Sequence, residues 1–266
     1  MTTEEHPLPD ETPSAPIRTR RRGGPWRFAR DVVVVVVIAV LVSFLVKTFV
    51  VRSFYIPSAS METTLMEQDR ILVDEITPNF GGYQRGDIVV FKDPGGWLDP
   101  STTASAPQNP IFAGIDWVLS LVGLSTSDSD DHLIKRIIGL PGDHVVCCNA
   151  AGQITVNGQP IDEQSYITVP SPGAAASGIA FDVTVPQGSL WVLGDNRYRS
   201  KDSRYNQDQP GKGFVPVSDV VGRAFLITWP FSRFGALDFH HDVFAGVPGP
   251  SGSPVPSPTP TTTGAP

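Results

Sequence analysis

A run of apolar residues from Val32 to Val46, broken only by Ser43 and continued past Lys47 to Val51, constrains this chain more than any other feature. Counted through Val51, it holds about the 20 residues that a helix needs to cross a hydrocarbon core. Arg18, Arg20, Arg21, Arg22, Arg27 and Arg30 crowd the segment before it, whereas Lys47, Arg52 and Arg70 are the only cations close behind. Positive charge is retained on the cytoplasmic side. The pattern therefore predicts one transmembrane signal-anchor helix over residues 31–52, with the N-terminus inside the cell and the bulk of the chain exported. Lys47 can extend toward the outer headgroups, and Trp26 and Phe28 suit the inner interface. A cleavable signal peptide is the competing reading, but no clear small-x-small site follows the run.

The flanks and the body differ in composition. Residues 1–30 form a basic tail and residues 247–266 a Pro/Ser/Thr-rich tail, both expected to be disordered. Between them, residues 53–246 read as mostly β. Short apolar runs such as 71–76, 133–138, 144–147, 181–185 and 220–229 are punctuated by Gly, Pro, Asn and Asp. Asn157-Gly158 is a hairpin signal inside a smaller β insertion spanning about 145–190. Residues 94–131 read as an inserted loop. Within it, Ile111–Leu124 is apolar but too short to span, and fits either a core-packing or an interfacial helix.

Charge and cysteine usage exclude several classes. The formal net charge of -7 gives nucleic-acid binding no support. The only cysteines, Cys147 and Cys148, are adjacent, unlike a zinc site or a Cys-x-x-Cys motif; an adjacent-pair disulfide and free thiols both fit. No phosphate-cradling glycine loop or metal-ligand cluster is present in the sequence, so no cofactor or metal is expected. His6, His132, His144, His240 and His241 lie in no recognised triad signature.

Chemistry concentrates just after the apolar run. Ser58 and Ser60 stand two apart, and Pro57 biases its neighbour toward extended geometry. An extended chain would put both hydroxyls on one side. Further on, His132-Leu133-Ile134-Lys135-Arg136-Ile137-Ile138-Gly139 carries a lysine inside an apolar strand. Burial disfavours the charged form of such a lysine, and a neutral amine beside a serine hydroxyl is a competent general base.

Three ordered blocks carry a resemblance. They are Ile56-Pro57-Ser58-Ala59-Ser60-Met61-Glu62-Thr63-Thr64-Leu65, then Leu133-Ile134-Lys135-Arg136-Ile137-Ile138-Gly139-Leu140-Pro141-Gly142-Asp143, then Gly194-Asp195-Asn196-Arg197-Tyr198-Arg199-Ser200-Lys201-Asp202-Ser203-Arg204. With the N-terminal anchor they resemble the bacterial type I signal peptidases over roughly residues 30–230. The resemblance implies a β-rich catalytic domain with a small β insertion, preceded by one transmembrane helix. It implies a serine endopeptidase of the plasma membrane that removes signal peptides from exported preproteins. Its partners are then those preproteins, the lipid bilayer and the secretion translocon.

By motif position, Ser60 matches the nucleophile and Lys135 the general base. Ser58 matches an oxyanion-binding hydroxyl, and Ser200 a hydroxyl that orients the lysine amine. Asp202 and Arg204 match a supporting ion pair, and Asp195 is expected to pair with Arg136. Phe54, Ile56, Met61, Leu65 and Ile134 match positions that line shallow substrate pockets. Thr63 stands where the family usually has proline, Gln68 replaces a common glycine, and Tyr198-Arg199 replaces the usual Asp-Asn. Two rivals remain. A self-cleaving repressor protease shares the Ser–Lys chemistry, but it needs a DNA-binding domain and no anchor. An anchored extracellular binding module with a degenerate peptidase fold would need no intact site.

Overall fold

The run Leu133–Ile138 is β-branched and apolar apart from Lys135 and Arg136, which suits a strand covered on both faces. In the computed structural model, which describes residues 25–49, 51–76, 78, 81–98 and 131–250, it becomes the buried part of a central strand. The first 24 residues, most of the inserted loop including Ile111–Leu124, and the tail beyond residue 250 lie outside the described residues.

The chain divides into two units, Met1–Ser43 and Phe44–Pro266. Helix α1 (Pro25–Phe49) opens on a proline, which suits a first helical position because its missing N–H has no partner there. Its side chains from Val32 to Val42 are apolar and exposed. Among the described residues, no helix is long and apolar enough to cross a membrane. Val51 and Arg52, assigned from sequence to the anchor, instead pair with Asp74 and Val73 at the start of a strand.

Among the described residues, twelve strands follow. They are β1 (Val51–Tyr55), β2 (Arg70–Asp74), β3 (Ile88–Lys92), β4 (His132–Gly139), β5 (His144–Cys147), β6 (Ile154–Val156), β7 (Gln159–Pro160), β8 (Phe181–Thr184), β9 (Ser189–Leu193), β10 (Val215–Pro216), β11 (Val220–Trp229) and β12 (Gly235–Ala236). The larger sheet runs β1-β2-β11-β3-β4-β9-β10, with β12 on β11, and every pairing in it is antiparallel. The smaller runs β7-β6-β5-β8. Asn157 and Gly158 both take positive φ (52° and 80°) between paired Val156 and Gln159, the two-residue hairpin turn their sequence predicts. Cys147 and Cys148, at the end of β5, form a disulfide.

Burial ties the sheet to the Ser60 segment. Met61, Leu65 and Ile71 are fully buried in one cluster with Phe54, Ile56, Ile88 and Ile134. Each such side chain contributes about 1.5–3 kcal/mol when taken from water. The short segment between β1 and β2 is thus anchored by its own apolar residues. A second cluster, around Trp191, Val145 and Phe181, joins the smaller sheet to β4 and β9.

Candidate active site

β1 ends at Tyr55, but its pairing continues one residue: Ile56 N–H donates to the Asp69 carbonyl (3.0 Å) and Gln68 N–H donates to the Ile56 carbonyl (2.9 Å). Ser58 then remains extended (φ -133°, ψ 152°), as a residue after Pro57 can. The extended geometry stops there. Ala59–Met61 is a 3-10 turn, closed by Glu62 N–H donating to the Ala59 carbonyl. Ser58 and Ser60 hydroxyls do come together, with Oγ atoms 3.2 Å apart, but across a turn rather than along one strand face. Gln68 adopts φ 73°, the left-handed region in which a side chain costs about 1–2 kcal/mol.

β4 brings Lys135 to this turn. Its Nζ donates to Ser60 Oγ at 2.8 Å and to the Ile134 carbonyl at 2.8 Å. Ser60 and Lys135 are 6% and 3% exposed. Burial lowers the Lys135 pKa to about 8. Asp202 and Asp195 pull it back up, and Arg204 pushes it further down.

The third sequence block forms the opposite wall. Asp202 and Arg204 are paired through Arg204 Nε (2.8 Å) and Nη2 (2.7 Å), both fully buried at the side chain. Asp202 also accepts Gly194 N–H (3.0 Å). Arg136 grips Asp195 with two bonds of 2.9 and 2.8 Å, the pairing expected from sequence. Asp195 accepts a further 2.6 Å bond from Thr64 Oγ1, and Asn196 N–H donates to the Ser60 carbonyl (3.1 Å). Ser200 Oγ is buried with no hydrogen-bond partner, so it makes no bond to Lys135 here. A Cβ added at Gly194 would overlap both Ser200 Oγ and the Ser60 carbonyl, so this wall closes on Ser60 only without a side chain there.

Phe54, Ile56, Met61, Leu65 and Ile134 gather in the single cluster beneath Ser60, none more than 7% exposed. A cavity of about 370 Å³ lies elsewhere, between Gly152, Ile161, Ile167 and Ala174, and includes neither Ser60 nor Lys135. The histidines serve other contacts: His132 packs on Phe54, His240 on Tyr166, and His241 binds Asp87.

Several site neighbours were not singled out from sequence. Gly194 and Asn196 lie in a quoted block and were within reach of that motif. Glu163 and Ser177 carry no local signal. They come from the loops between β7 and β8 and meet the site only in three dimensions, where Glu163 pairs with buried Arg197 and Ser177 Oγ accepts from Arg204 Nη1 (3.1 Å).

The chain is similar to known proteins over most of its length. A family described as signal peptidase, peptidase S26, matches residues 29–229. The chain is 39% identical over 241 residues to a probable signal peptidase I of Mycobacterium leprae, covering 82% of this chain and 81% of the relative. It is 38% identical to a signal peptidase I of Mycobacterium tuberculosis, covering 78% and 75%. A probable signal peptidase I-2 of Synechocystis is 37% identical over 67% of this chain and 63% of its own.

Proposed function

The chain belongs to the signal peptidase family, peptidase S26, and we propose that it removes N-terminal signal peptides from exported preproteins, with Ser60 as nucleophile and Lys135 as general base. The observation that carries this reading is the 2.8 Å contact between Lys135 Nζ and Ser60 Oγ, with the amine buried and its pKa lowered to about 8. Once neutral, the amine accepts the Ser60 proton as Oγ attacks the scissile carbonyl carbon. The developing oxyanion accepts hydrogen bonds from Ser58 Oγ and the Ser60 backbone N–H; one such donor is commonly worth about 10²–10³ in rate. Lys135, now an ammonium, gives its proton to the leaving amine. The neutral amine then takes a proton from water, whose oxygen attacks the acyl ester; as the ester C–O bond breaks, the ammonium returns that proton to Ser60 Oγ, and the carboxylic acid product leaves.

The surrounding groups tune that amine. Asp202 holds a proton on Lys135, and Arg204 offsets it. Losing Arg204 alone would leave a buried carboxylate acting on the base uncompensated. Ser200 Oγ, buried and unpaired, is suited to accept from the amine once Ser60 has become an ester. β1 ends the sheet order, so an extended peptide can add to its outer edge. Ile56 already uses its N–H and C=O on Asp69 and Gln68, so the peptide pairs with neighbouring backbone. In this reading, shallow pockets beside Phe54, Ile56, Met61, Leu65 and Ile134 accept small side chains, typically alanine, one and three residues before the cut.

Lipid contact is supported by the exposed valines around α1, because a helix that is apolar on all sides needs apolar surroundings. Exposed Trp229, Phe231 and Phe234 add to this. The arginines before α1 support a reading with the N-terminus in the cytoplasm and the peptidase outside the bacterial plasma membrane. The translocon, which delivers the same preproteins, is the further partner of this reading. The test is cleavage of a preprotein by the purified full chain in detergent, beside Ser60→Ala and with EDTA present. We expect cleavage by the wild type, none by Ser60→Ala, and no effect of EDTA. No cleavage by the wild type refutes the reading and favours a non-catalytic binding module, whereas equal cleavage by the variant refutes Ser60 as the nucleophile.

A further inference from the structure

The segment that carries Ser60 is a loop closed at its base and held from several sides. Ile56 pairs with Asp69 and Gln68 at the base. Within it, Leu65 N–H donates to the Met61 carbonyl (2.8 Å), and Met66 N–H donates to Asp69 Oδ2 (2.8 Å). The Asp195–Asn196 wall holds Thr64 Oγ1 and the Ser60 carbonyl from one side. From a different element comes Arg233, the last residue of the 3-10 turn Phe231–Arg233 after β11.

Arg233 Nε lies 3.1 and 3.2 Å from the two Asp69 carboxylate oxygens, and Nη2 donates to Asp69 Oδ2 at 3.1 Å. The same Nη2 donates to the Thr64 carbonyl at 3.1 Å. The Asp69 side chain is 1% exposed and that of Arg233 34%. A guanidinium can hold a carboxylate and a carbonyl together because its N–H groups are fixed in one plane; an ammonium has no such fork. Arg233 also lies beyond the residues matched by the family, 29–229.

We propose that Arg233 is a positioning residue for peptide cleavage: by binding Asp69 and the Thr64 carbonyl together, it fixes the turn that presents Ser60 Oγ to Lys135. This rests on the peptidase reading above. Thr64 is four residues past Ser60, and the two buried anchors of this stretch, Met61 and Leu65, are apolar and therefore non-directional. The bond to the Thr64 carbonyl fixes the backbone directly, where the bond to Asp195 holds only the Thr64 side chain. A displacement of about 1 Å at a reacting group can cost about 10² in rate.

The experiment compares the full wild-type chain with Arg233→Ala and Arg233→Lys in detergent, at a temperature well below every variant's unfolding midpoint. The expected result for Arg233→Ala is a kcat about 10–100-fold lower with KM within about twofold, since the peptide's contacts are untouched. Arg233→Lys should recover part of that kcat, because charge toward Asp69 returns without the fork. The pH midpoint of kcat/KM should stay in place, because Arg233 is not among the groups acting on Lys135. A kcat within twofold of wild type in Arg233→Ala overturns the proposal. So does a loss that follows the folded fraction alone and vanishes on cooling. Failure of the wild type itself to cleave would instead sink the peptidase reading.

Discussion

Replacing Lys135 with methionine keeps the bulk of the side chain and removes its charge, so it isolates the cost of a buried ammonium. Burial lowers the lysine pKa from 10.5 to about 8. The unfolded chain holds this proton up to about pH 10.5, whereas the folded protein releases it near pH 8. Between those values the unfolded state binds more protons, so wild-type stability must rise with pH. Each pKa unit is worth about 1.4 kcal/mol, and the whole window therefore about 3 kcal/mol. Below pH 8 the folded protein carries the full penalty; above 10.5 it carries none. Lys135→Met lacks this contribution at every pH. The bonds to Ser60 Oγ and the Ile134 carbonyl that methionine loses offset the two curves vertically without giving them this slope. The assay is urea unfolding of both proteins in detergent, followed by tryptophan fluorescence, at pH 7, 8, 9 and 10. Subtracting the variant from the wild type cancels the other titrating groups. The difference should climb by about 1.4 kcal/mol per pH unit above pH 8. In parallel, wild-type kcat/KM should rise about tenfold from pH 7 to pH 9, as the neutral fraction of an amine with that pKa does. Parallel stability curves across pH 7–10, or cleavage strongest in acid, would refute the argument that burial makes Lys135 a base.

Gly194→Ala should lower kcat by more than about 10², because its methyl overlaps Ser200 Oγ and the Ser60 carbonyl and must displace the turn; steady-state kinetics on the folded fraction checks this. Gln68→Gly should be neutral or slightly stabilising, since it relieves a left-handed side chain, while Gln68→Val should cost about 1–2 kcal/mol or more. Urea midpoints of the two variants separate these outcomes, and equal midpoints would remove strain at Gln68 from the account.

The stretches that hold Ser60 and Lys135 were legible in the primary structure because their neighbours are local. Ser60 and Lys135 each sit inside a continuous stretch whose apolar residues and turn formers decide burial, as Met61 and Ile134 do here. The same holds for the hairpin at Asn157-Gly158, where the two residues themselves supply the positive φ. Local rules misled where a long-range partner intervened. Val51 continues an apolar run in sequence and Arg52 follows it directly, yet both pair with β2 beyond the end of the helix. Ser58 and Ser60 look like one strand face, yet the turn at Ala59 folds the chain beneath them. What tertiary structure alone decided is the chemistry of the lysine. Its amine meets Ser60 across 75 positions of sequence, and its pKa depends on Asp202, Asp195 and Arg204, brought from a third block. Arg233, reaching Thr64 from 169 positions away, leaves no trace in either local pattern. Hydrophobic periodicity records which face is buried, but a directed hydrogen bond or a field acting on a buried charge exists only once distant segments share one low-dielectric space.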